Sequence, residues 1–66
     1  MRVTIGERHI YIGRDFPDLK YGKTGVAFYN PGFDDPQSIE YGALSFYPDG
    51  DAIGYYVEAT ELQREE

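Results

Sequence analysis

No cysteine occurs in the 66 residues of this chain, so neither a disulfide nor a thiolate zinc site can hold it together. Tryptophan is missing too, and histidine occurs once, at position 9. No apolar run is long enough to cross a membrane, and Met1-Arg2-Val3-Thr4-Ile5-Gly6-Glu7-Arg8 has no apolar core of the secretory kind. A cytoplasmic protein with no membrane association is the expectation. Repeats and low-complexity tracts are also lacking. Packed side chains must supply the stability, at a length that permits one domain, residues 1–66, near the lower limit for a self-sufficient core. The material for that core is present: 41% of residues are hydrophobic, and seven Tyr and four Phe can each bury about 150–250 Å².

Positive charge is scarce, with six Lys and Arg against twelve Asp and Glu and a net charge of −6. The imbalance is concentrated in one half. Residues 1–33 hold Arg2, Arg8, Arg14, Lys20 and Lys23 against Glu7, Asp15 and Asp18. Residues 34–66 hold only Arg64 against nine acidic residues. An acidic domain repels phosphate at long range and is a poor generic nucleic-acid binder. Its charge either seeks a basic protein surface or serves solubility.

Eight Gly and four Pro among Tyr, Phe, Ile and Val predict short strands joined by turns. Strand is expected over residues 2–5 and 8–13, bent at Gly6, with Ile10 and Ile12 inward and His9 and Tyr11 outward. Residues 14–23 read as a solvated loop around Pro17. A strand follows over 24–30, with Val26 and Phe28 on one face and Ala27 and Tyr29 on the other. Asn30-Pro31-Gly32 ends it, with Gly32 supplying the positive φ of a type II turn. The loop that continues to residue 40 is long for a compact domain, with Phe33 and Ile39 as its pins, and such loops are often functional. A strand is expected over Tyr41 to Tyr47 with Leu44 and Phe46 inward. Pro48-Asp49-Gly50-Asp51 is a hairpin signal. Residues 52–57 return as a strand with Ile53, Tyr55 and Val57 on one face, and Glu58 to Leu62 form a short helical turn. A last short strand or a frayed acidic tail ends the chain.

Motifs that carry chemistry are weak. Gly22-Lys23-Thr24 resembles the end of a phosphate loop, but the required glycine five residues before Gly22 is Pro17, and a strand rather than a helix follows. His9 reads as a solvent-facing strand residue. Asp49-Gly50-Asp51 and Asp34-Asp35 lack the alternating ligand spacing of a calcium loop. No catalytic residue, metal or cofactor is expected.

Three phrases together carry a family resemblance: Val3-x-Ile5-Gly6-Glu7, Tyr21-Gly22-Lys23-Thr24-Gly25-Val26, and Val57-Glu58-Ala59-Thr60-Glu61-Leu62. In their order the chain resembles the SH3-like small β-barrels of KOW type. The resemblance implies an all-β, five-stranded SH3-like barrel with a short 3-10 turn near the C-terminus. KOW modules bind RNA or the proteins of ribosomes and transcription, and on that side the resemblance implies a nucleic-acid face built from Arg2, Arg8, Arg14, Lys20 and Lys23. The paired-aromatic signature of peptide-binding SH3 domains is not in register here, so proline-peptide recognition is not expected.

The seven tyrosines point elsewhere. In such number they imply half-exposed rings with wet hydroxyls, which are enriched at protein interfaces, although tyrosine is also simply a good strand former. The expectation is a non-catalytic protein-binding module, a small phage or bacterial accessory protein acting as adaptor or inhibitor. Its partner is another protein, with a basic surface as the complement of its acid. The contact surface is expected on the 31–40 loop with Phe33, Asp34 and Asp35, joined by outward Tyr21, Tyr29 and Tyr56.

Overall fold

The computed structural model describes residues 5–65. Five strands run through it: β1 (Arg8–Tyr11), β2 (Thr24–Tyr29), β3 (Ala43–Pro48), β4 (Tyr55–Glu58) and β5 (Leu62–Arg64), with a 3-10 turn at Ala59–Glu61 between the last two. All pair antiparallel in one sheet of order β4-β3-β2-β1-β5. The sheet is not closed among the described residues. No helix among them is long and apolar enough to cross a membrane.

Alternation along each strand divides the sheet into an inner and an outer face. The inner face carries Tyr11, Ala27, Leu44, Phe46, Val57 and Leu62, all essentially inaccessible, and Leu19 reaches the same core from the loop before β2. Phe16, Phe33, Tyr55 and Ala59 pack around them. The 14–23 segment is therefore not a wholly solvated loop, since two of its apolar residues close the core.

The largest correction concerns β1. It ends at Tyr11 rather than at residue 13, and its faces are the reverse of the expected ones. His9 and Tyr11 are wholly buried, whereas Ile10 and Ile12 are only half-buried. Polar partners make this possible, because a buried hydroxyl or imidazole is tolerated when hydrogen-bonded. The Tyr11 hydroxyl donates to Glu61 Oε2 at 3.1 Å and accepts from the Asp15 N–H at 3.1 Å. Nδ1 of His9 lies 2.8 Å from the Glu7 carbonyl. Gly13 leaves room for the Tyr11–Glu61 pair, since a Cβ there would stand 2.8 Å from the Tyr11 hydroxyl.

Other boundaries shift for local reasons. Of the strand expected over 2–5, only Ile5 is described, and it stands in a turn; the rest lies outside the described residues. The turn at Asp49-Gly50 forms with Gly50 at φ 81°, but β4 begins at Tyr55, not at residue 52. Ile53 consequently lies outside the strand and is 71% exposed. Gly32 does not have positive φ; Gly42, at the far end of that loop, does. Ile39 pins nothing, being 96% exposed, while Phe33 does pack on the core. The helical turn and the last strand form where expected, and the Leu62 N–H closes the turn on the Ala59 carbonyl.

Candidate protein-binding surface

Tyr29 is the last residue of β2 and lies on the inner face, opposite Leu44, but past the edge of the core. Its ring meets that of Phe33 at 4.5 Å between centroids with a 34° tilt. Phe33 in turn packs on the core, so the pair forms a step from buried to exposed, with Tyr29 52% accessible. Asp34 and Asp35 follow directly and are exposed.

The loop that presents these residues is tied within itself. Its base is closed by the Gly42 N–H on the Phe33 carbonyl at 2.9 Å and by Asn30 Nδ2 on the Ala43 carbonyl at 2.9 Å. Across it, the Gly32 N–H donates to Glu40 Oε2 at 3.1 Å. Along its far side, the Asp35 carbonyl accepts the Ser38 N–H and Asp35 Oδ1 accepts the Gln37 N–H. A Cβ on Gly32 would run into the Ser38 side chain, so the backbone there depends on glycine for space, not for φ. A loop held by its own backbone bonds loses little entropy on binding.

Tyr21 and Tyr56 do not join this cluster. Tyr21 is 68% exposed at the tip of the turn before β2, which is fixed by the Gly22 N–H on the Tyr11 carbonyl at 2.7 Å. About 17 Å of strand separates that end of β2 from Tyr29. Tyr56 lies on the outer face, opposite Ser45, where it neighbours Phe28 and Tyr47. That grouping was missed in the sequence. The signal was the period-two pattern of β2 to β4, but it needs the strand register to become a surface.

The basic residues are dispersed and largely engaged. Arg8 forms a two-pronged pair with Asp49 and reaches Glu65 at 3.3 Å. Thr24 Oγ1 also donates to Asp49, at 2.7 Å. The bond from Arg8, then that from Thr24, hold the Asp49 carboxyl at about 2, and the Arg8 guanidinium is correspondingly harder to deprotonate. Lys20 and Lys23 line an open hollow of about 220 Å³, but Asp18 and Asp51 line it with them. Arg64 pairs with Glu7 at 2.8 Å, Arg14 is exposed, and Arg2 lies outside the described residues. Among the described residues no three His, Cys, Asp or Glu side chains gather to hold a metal.

Comparison with protein-family models, with curated proteins and with solved structures finds no match for this chain.

Proposed function

We propose that the chain is a non-catalytic docking module that binds another protein through the Tyr29–Phe33 step and the adjacent Asp34 and Asp35. The ring contact at 4.5 Å, on a loop tied by its own hydrogen bonds, carries this reading. A half-exposed tyrosine braced by a phenylalanine is a ready anchor, and a neighbouring acidic pair steers encounter with a basic surface. The strand order, with a 3-10 turn before a fifth strand that returns to β1, supports an SH3-like barrel of KOW type as the architecture. In that reading the protein is a small cytoplasmic phage or bacterial accessory factor, an adaptor or inhibitor of a larger machine.

Nucleic acid ranks behind a protein partner, because Arg8 is neutralised by Asp49 and Glu65, and the two lysines of the hollow are matched by two aspartates. The test substitutes Tyr29→Ala and, separately, Asp34→Asn with Asp35→Asn. The first is expected to weaken partner affinity by about tenfold or more through faster dissociation. The second is expected to slow association, with a difference that shrinks as salt rises. Unchanged affinity and rates in both would remove this surface.

A further inference from the structure

We infer that the outer face of the sheet is a second docking surface, for a protein segment that presents an apolar strip bordered by Lys or Arg. Register places Val26 opposite Tyr47, Phe28 opposite Ser45, and Ser45 opposite Tyr56, so these five residues form one continuous field across β2, β3 and β4. None is charged, in a chain where 27% of residues are. Phe28, Tyr47 and Tyr56 are 42%, 45% and 56% exposed.

The half-buried polar side chains at the middle of the field, Ser45 and Asn30, are already paired by the chain itself, while the tyrosine hydroxyls of Tyr47 and Tyr56 stay at its edges. The Ser45 hydroxyl donates to the Asn30 side chain, and the Asn30 amide donates to the Ala43 carbonyl. Covering the field therefore leaves Ser45 and Asn30 with their partners. Tyr47 is held from two sides, edge-on to Phe28 at 5.8 Å and against Gly54, where a Cβ would stand 2.8 Å from the tyrosine ring. Such a ring has little rotamer freedom left to lose on binding.

The charges at the border decide the occupant. At the β1 corner Arg8 is shared by Asp49 and Glu65, and Lys23 also acts on Asp49, so this corner carries little net charge. At the β4 end the border residue is the exposed Glu58. The β4 border is thus acidic, and with a net charge of −6 on each copy a second copy of this chain would set acid against acid. A basic-edged apolar segment meets the field without that repulsion. This surface lies on the opposite face from Tyr29 and is independent of the loop reading.

The test uses three synthetic helical peptides: one with a leucine face edged by lysine, its leucine–glutamate counterpart, and a lysine–serine peptide of equal charge. Binding is followed by amide chemical shifts and by calorimetry. The leucine–lysine peptide is expected to move the amides of Val26, Phe28, Ser45, Tyr47 and Tyr56, and Tyr56→Ala to weaken it by about tenfold with amide dispersion retained. The leucine–glutamate peptide is expected not to bind. Shifts confined to other regions, equal binding by the lysine–serine peptide, or the same shifts arising from self-association without peptide would each overturn the proposal.

Discussion

Tyr11 joins three parts of the molecule through one hydroxyl. Its ring is buried in the core beside Phe46 at 6.3 Å, its O–H reaches Glu61 in the 3-10 turn, and Asp15 of the following loop donates back to it. Glu61 completes the relay by accepting the Glu58 N–H at 2.9 Å on its other oxygen. Removing only the hydroxyl, as in Tyr11→Phe, leaves a carboxylate and an amide without this partner and is expected to cost about 1–2 kcal/mol, measured by urea unfolding. Burial, before any other cause, raises the Tyr11 phenol above its usual range. The folded state therefore holds that proton longer than the unfolded chain, and stability present below about pH 10 declines as pH rises further. The variant is expected to lack that alkaline decline.

The Arg8–Asp49 pair gives the opposite dependence. Asp49 titrates at about 2 in the folded protein, below the ordinary 3.8. Its contribution is complete above the unfolded value and is lost as pH falls through the folded one. Acid unfolding of wild type and Asp49→Asn should therefore converge as pH drops from about 4 to about 2; curves that stay parallel would show that the pair is not formed in solution.

At the scale of elements, the β2–β3 contact depends on Gly25. A Cβ there would meet the Tyr47 carbonyl and come within 2.8 Å of Pro48 Cα, both backbone atoms of the paired strand. Neither can move without breaking the ladder, so Gly25→Ala is expected to cost about 3 kcal/mol and to lower the thermal midpoint sharply. A midpoint within a few degrees of wild type would mean the strands pack less closely than these distances require.

Two turns are legible in the sequence because glycine chemistry is local: Gly22 and Gly50 both take positive φ where the chain reverses, whereas in the 31–42 loop that conformation falls to Gly42 and not to Gly32. The phase of β1 was not readable. Both of its faces carry apolar bodies, and the choice between His9 with Tyr11 and Ile10 with Ile12 is made by partners some fifty residues away, Glu61 and Leu62. Ile39 and Ile53 misled for a related reason, since hydrophobicity alone does not say that a loop carries a side chain outward. Of the expected contact surface, Phe33, Asp34 and Asp35 are adjacent in the sequence and Tyr29 closes on Phe33 at the loop base. Tyr21 and Tyr56 share with them only exposure, and the sheet separates them by length and by face.

At the scale of the whole molecule, seven buried apolar residues among those described make a core of modest size, and much of the aromatic inventory lies outside it. Phe28, Tyr29, Tyr47 and Tyr56 are all more than two-fifths exposed. Exposed aromatic area of this extent on so small a chain lowers solubility, and the proposed docking role accounts for it. The two aromatic groups lie on opposite faces of one sheet, which suits an adaptor that touches two surfaces.

The most direct test of the docking role is a tagged capture from a bacterial lysate, with and without nuclease, scored for protein and nucleic acid and repeated with Tyr29→Ala. The account predicts one protein recovered stoichiometrically under both treatments and lost with the variant. Recovery of nucleic acid, protein that disappears with nuclease, or capture indifferent to Tyr29 would contradict it.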